Sequence, residues 1–387
     1  MKKAIYVCLV FAGCVMLSTG CSSGKEKKSN NETKAVETTY DYAGKTSDDL
    51  LSGINDMSNV TEEEYINLVD TYRYVKVKED MSLEKNITDE ALKKINHDSL
   101  PEIQNCISKL IKSDSPQVRG FAVDQMKQFL FGVSNKNIEV LKDLIKTEKD
   151  DYVLWHCVKT LANEGGDPEV GKFLISMSKS NNAKIREASA NALGNKWSKK
   201  IDGVADIIIG LMNDDDVSVR KAACKNAGKL NDESVIEPLS EILNNADDAE
   251  IHGSCVEGLM TLWFDFPSYE NKSEKAYNAT IDYFKKIPKT SKTPAWLAVS
   301  NLKAPVNNDR YNAWKKEAKY CNADEIYDVM IEIIKNTDVD WLARDAAIKV
   351  IKTRCDNKHY KDLGKIINKL KDDKAELLKN SYKNGNK

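Results

Sequence analysis

IREASANALGNKW at residues 185–197 and VRKAACKNAGKL at residues 219–230 decide how this chain is read. Aligned from Ile185 and Val219, they agree in chemistry column by column. A β-branched residue leads and Arg186 or Arg220 follows; a small residue stands fifth (Ser189, Ala223) and apolar ones sixth (Ala190, Cys224) and ninth (Leu193, Ala227). The two starts lie 34 residues apart. Self-similarity at that period is the mark of stacked helix pairs, each too small to bury its own apolar face.

Working outward, Val118-Arg119 leads one further copy and Val153 another, and Ile251 leads the copy after Val219. Successive starts from Val118 are 35, 32, 34 and 32 residues apart. The register returns at 294–302 and 343–351 after gaps of 43 and 49, making seven copies. Apolar helical spacing predicts a first helix ahead of most of them: 138–145, 170–177, 204–212, 235–243, 277–284 and 326–334. Acidic or amide-rich turns join the pairs, as at Asp150-Asp151, Asn181-Asn182, Asp214-Asp215-Asp216 and Asp247-Asp248. Such side chains accept from the free N–H groups that open a helix. Asp167-Pro168 similarly puts a cap and then proline at a helix start. Scarce glycine (18) and proline (8) suit helices better than turn-rich strands.

The acidic turn, Val/Ile-Arg, paired small residues and late Leu-Gly in DDDVSVRKAACKNAGKL and AKIREASANALG resemble the HEAT repeat family over about 113–355. The resemblance implies an all-α fold, an α-solenoid of helix pairs with its second helices on the concave side. It also implies that the column arginines, Arg119, Arg186, Arg220 and Arg344, pair with acidic groups of the neighbouring repeat. Leu154, His252 and Ala295 interrupt that column, against a fully regular superhelix. The domains expected are a targeting segment (1–21), a polar tether (22–46), an atypical helical cap (47–112), the solenoid (113–356), and a capping helix with a frayed tail (357–387). Thr61 to Glu64 has the form of a capping box within the first cap.

Lys2 and Lys3 precede an uncharged run from Ala4 to Leu17, the pattern of a secretory signal. Ser18-Thr19-Gly20-Cys21 then resembles a bacterial lipobox, with Leu17 one place further from the cysteine than usual. The resemblance implies a diacylglyceryl thioether on Cys21 and a protein facing outside the cytoplasm. Two alternatives stand beside it: cleavage before Cys14, which leaves a very short apolar stretch, and a plain membrane anchor, for which the run falls short of the ~20 residues a bilayer needs. The polar residues after Cys21 bury too little to fold and read as a tether. A net charge of −2 gives no basic footprint for nucleic acid.

Six cysteines follow Cys21: Cys106, Cys157, Cys224, Cys255, Cys321 and Cys355. Disulfides are open to an exported chain. Cys157 and Cys255 fall in small-residue columns, where a thiol acts as a small hydrophobe, and inert core cysteines are the favoured reading. His97, His156, His252 and His359 are scattered, and the sequence holds no zinc spacing, GxSxG, P-loop or GxGxxG. No cofactor and no catalysis are expected. Bilin lyases share this kind of repeat, but fold analogy alone is a poor warrant for activity.

Function is therefore expected of the aromatics and the breaks in the repeat. Trp155 and Trp296 occupy a column that is otherwise mostly polar or glycine, so they read as exposed, with inter-repeat packing as the alternative. Trp263, Phe264, Phe266 and Tyr269 border the insertion at 264–275; Trp314 lies in the insertion at 303–322, where 310–320 suits an extra helix. Insertions in solenoids project from one face and often bind partners. The expected partner is another protein of the cell envelope. A carbohydrate stacked on the Trp263 cluster is the alternative.

Overall fold

The computed structural model describes residues 46–55, parts of 61–75, and then 107–128, 132–245, 250–265, 268–286, 295–304 and 308–384, with backbone only at 47, 54, 55, 128, 132 and 295–297. Proposed features at Cys21, Phe266 and Cys106, and the Trp296 side chain, lie outside the described residues. An N-terminal helix, α1 (Ser47–Asn55), precedes the repeats. The Thr61 capping box is present: Thr61 N–H donates to Glu64 at 2.7 Å and Glu64 N–H returns to the Thr61 hydroxyl at 3.3 Å.

Helices then alternate as the 34-residue period requires. The second helices are α2 (Pro116–Gln125), α4 (Asp151–Thr160), α6 (Ala183–Leu193), α8 (Val217–Ala227), α10 (His252–Trp263) and α12 (Ala295–Asn301). Their first-helix partners are α3 (Asn135–Ile145), α5 (Pro168–Met177), α7 (Val204–Leu211), α9 (Ile236–Asn244) and α11 (Glu274–Lys286). An inserted helix, α13 (Asp309–Glu317), precedes the pair α14 (Ala323–Lys335) and α15 (Trp341–Arg354). Each second helix packs along the next, from α2 through α4, α6, α8, α10 and α12 to α15, and the first helices form a looser outer layer. The protein is an α-solenoid. A two-residue antiparallel pairing, Lys127–Gln128 with Gly132–Val133, follows α2.

The columns are core. Ile185, Ser189, Ala190, Leu193, Val219, Ala223, Cys224 and Ala227 are all 0% exposed. Small residues there let backbones touch. A Cβ on Gly258 of α10 would sit 2.2 Å from the Cys224 carbonyl oxygen of α8. Cys157, Cys224 and Cys255 are buried free thiols, while Cys321 and Cys355 are free and partly exposed. The capping reading also holds: Asp150, Asn182, Asp216 and Asp340 each accept from the opening N–H groups of α4, α6, α8 and α15, and Asp167 does so for α5.

The chain ends differently from the single capping helix with a frayed tail expected over 357–387. Two helices, α16 (Asn357–Ile367) and α17 (Ala375–Asn384), form there, because Lys371-Asp372-Asp373-Lys374 breaks the apolar spacing. Helix extends to Asn384, so residues 380–384 do not fray as expected. Tyr360 and Tyr382 join the pair by stacking with ring centroids 4.8 Å apart, each hydroxyl donating to the other's carbonyl.

Candidate binding groove

The arginine column comes first, because it holds the repeats at fixed spacing. Arg119 meets Glu148 through two bonds of 2.8 and 3.0 Å, and Arg186 meets Asp214 at 2.7 and 2.8 Å. The remaining nitrogen, Nη1, donates to the two carbonyls of its own preceding turn, Ser113 and Asp114 for Arg119, Ser180 and Asn181 for Arg186. Arg220 repeats the second half of this pattern on Asp214 and Asp215, with no carboxylate partner among the described residues. Where the column is interrupted, His252 substitutes: its Nε2 lies 3.1 and 3.0 Å from the carbonyls of Ile242 and Asn245, and its Nδ1 3.2 Å from the Tyr283 hydroxyl. At His252 the interruption thus changes the residue but keeps two carbonyls of the preceding turn satisfied.

The two insertions do not project. They fold back on each other, and this corrects the expectation that they expose a binding surface. Trp263 (0% exposed), Phe264 (7%), Tyr269 (7%) and Trp314 (3%) are buried together with Tyr311. Trp263 and Trp314 spend their indole N–H groups inside the protein, on the Thr280 hydroxyl at 3.2 Å and the Asn271 carbonyl at 3.1 Å. Asp265 shapes the loop by accepting from the Ser268 hydroxyl and Asn271 N–H, both at 2.7 Å. The rings close around one guanidinium. Arg354, 2% exposed, lies 4.3 Å from the Phe264 centroid and 5.0 Å from that of Trp263. Burying that much aromatic area outweighs leaving it as loop. Nothing in the repeat columns announced Arg354, which falls at the end of the last second helix.

Trp155 has a different setting. On α4, Val153, Cys157, Val158 and Leu161 turn inward at 0% exposure. Tyr152, Trp155 and Lys159, spaced three and four residues apart, then share the opposite stripe. Tyr152 is 45% exposed and Trp155 is half-buried. Behind them His156 is packed edge-on against both rings, at 4.4 and 4.8 Å, with Nδ1 2.8 Å from the Asp124 carboxylate of α2. Gly120 of α2 makes the room: a Cβ there would stand 2.5 Å from the Tyr152 ring. The Lys159 ammonium lies 3.9 Å from the indole centroid.

Two hollows flank Trp155 in the furrow between α4 and α6. One, of about 480 Å³, is lined by Asp124, Lys127, Lys159, Glu187 and Asn191 among others. The second, about 390 Å³, is lined by Asp151, Tyr152 and Asn182, and both share Trp155 and Lys184. Second helices of three successive repeats thus build one groove. The sequence reading singled out Trp155 but missed Tyr152, Lys159, Lys184 and Glu187. For Tyr152 and Lys159 the signal was the stripe on α4 opposite the buried one; Lys184 and Glu187 come from α6.

This architecture defines a helical-repeat solenoid with a groove on its second-helix layer. A family model of HEAT repeats matches residues 103–194 and 171–260, so that stretch is similar to a run of HEAT repeats. No curated protein matches the chain. Among solved structures, the crystal structure of an engineered protein is similar over 87% of this chain and 97% of its own, at 13% identity. Its TM-score of 0.38 is too low to carry an argument.

Proposed function

We propose that the protein is a non-catalytic binding module, held outside a bacterial cytoplasmic membrane by a lipid on Cys21, that docks another component of the envelope in the α2–α4–α6 groove. The observation that carries this reading is the aromatic stripe of exposed Tyr152 and half-buried Trp155 on a helix whose other face is wholly buried. Exposed aromatics beside a hollow favour a partner, because they offer large contact area with little entropy to lose. HEAT repeats in general mediate association, which supports a docking role for this surface. The charged run at Lys2-Lys3, the apolar stretch and Cys21 support the address, and the polar residues up to 46 support a tether that holds the groove away from the bilayer.

The test is retention of a solubilised envelope fraction on immobilised protein, comparing wild type with a Tyr152→Ala, Trp155→Ala double variant. A component held by the first and lost by the second supports the reading. Equal retention by a variant with wild-type circular dichroism overturns the groove. Metabolic labelling with a fatty acid, abolished by Cys21→Ala, tests the anchor.

A further inference from the structure

We infer that the groove at Trp155 takes a neutral saccharide chain. The inference rests on the docking reading above and names the ligand class for the same site. Its first support is the lining: among the described residues the two hollows are faced by Trp155, Tyr152, Ala162 and Ala188, and by no leucine, isoleucine, valine, methionine or phenylalanine. A peptide anchor needs a fully desolvated apolar pocket, and these described residues do not form one.

The second support is the pairing of indole with hydrogen-bonding groups of both kinds. A pyranose has one face of C–H bonds and a rim of hydroxyls that donate and accept. Trp155 supplies a flat ring for the face. Lys159, Lys184 and Thr160 can donate to the rim, and Asp124 and Glu187 can accept from it, while Asn182 and Asp151 are held to each other by a 3.0 Å bond at its edge. The Lys159 head, now over the indole, has a flexible stem and can turn to a hydroxyl when a sugar replaces it.

The third support is charge. Three lysines, Lys127, Lys159 and Lys184, face three carboxylates, Asp124, Asp151 and Glu187, across the two hollows. That balance favours an uncharged ligand over a polyanion or an acidic peptide. Packing holds the platform in place: His156 supports both rings from behind, and Gly120 lets Tyr152 rest against α2.

The experiment is titration calorimetry of the full chain with neutral pentasaccharides of glucose and N-acetylglucosamine, with pentagalacturonate, and with pentapeptides of acidic, basic and aromatic composition. Saturable binding of a neutral sugar is expected, weakened at least about tenfold by Trp155→Ala, as truncating a central aromatic contact does. Trp197→Ala, at a tryptophan 52% exposed and outside the groove, should leave the affinity unchanged. Glu187→Gln and Lys184→Met should each weaken it without altering the melting temperature. Binding of the polyanion or a peptide in preference, sugar binding indifferent to Trp155, or no sugar binding would each overturn the inference. If an envelope component is still lost with Tyr152 and Trp155 while no sugar binds, the ligand class alone has failed. If nothing from the envelope depends on those residues, the docking reading has failed too.

Discussion

Arg344 and Asp372 lie 28 residues apart and meet through two parallel bonds, Nη1 to Oδ1 at 3.0 Å and Nη2 to Oδ2 at 2.9 Å. The same spacing separates Arg186 from Asp214, so α16 and α17 continue the repeat's bracing beyond its last recognisable copy. The Arg344 side chain is 1% exposed and also donates through Nε to the Ile334 carbonyl at 2.8 Å. Asp372→Asn would leave a buried cation without its counter-charge, at a cost of about 3–5 kcal/mol. Asp214→Asn should cost less, because Arg186 keeps 18% exposure and can turn to water. Urea unfolding of the two variants checks the order.

Acid should loosen these braces together. Arg186 and the Asp216 N–H hold the Asp214 carboxyl below its ordinary value of 3.8 against the effect of burial. Arg344 does the same for Asp372. At Glu148 burial pushes upward, but Arg119 and the N–H groups of Asp150 and Lys149 outweigh it and leave the carboxyl below 4.5. Carboxyls depressed on folding stabilise fully above their unfolded values, and that contribution is lost as pH falls through the folded ones. Stability should therefore be flat down to about pH 4.5 and drop steeply below it. Urea midpoints measured between pH 7 and pH 3 test this. A drop that persists undiminished in Glu148→Gln, Asp214→Asn and Asp372→Asn would assign it to other groups.

Burial and exposure separate the two sets of tryptophans. Trp314→Ala removes a ring that is 3% exposed and orphans the Asn271 carbonyl, so a loss of about 3–5 kcal/mol is expected. Trp155→Ala on the open groove should cost under about 1 kcal/mol. Thermal melts of both variants decide the point; equal losses would place Trp155 in the core.

Gly258→Ala should destabilise by about 1–3 kcal/mol, since the added methyl meets backbone and forces α8 from α10. Gly210→Ala, where nothing stands within 4 Å, serves as the control and should be neutral or slightly stabilising. Chemical denaturation of the pair measures the difference.

The repeat itself was plain in the sequence because its signal is local and periodic. Val219, Ala223 and Cys224 had to be small or apolar wherever the chain went, since each helix pair faces the next in one way. Arginine bracing was expected only through the resemblance to the repeat family, which implies it for Arg119, Arg186 and Arg344. The Trp263–Trp314 cluster was misread because aromatic, acidic and proline residues in succession look alike whether a loop projects or folds back. Only the meeting of 264 with 311, 314 and 354 decides between those outcomes, and no local pattern encodes a contact at that separation. Trp155 was legible as an exception in its column. The hollows beside it were not, because they arise from the offset between α4 and α6.

Arg354 over Phe264 has a consequence for how the chain comes together. The N-terminal copies are tied by contacts some 28 to 29 residues apart, which close short loops and can form independently. The aromatic knot needs residues 264 and 354 to find each other across two intervening helix pairs. High contact order slows folding, so the solenoid has a fast half and a slow half. During synthesis the groove repeats can assemble while the knot still waits for its last arginine. A chain truncated before residue 354 would thus present a formed docking face on an unfinished, aromatic-exposing end.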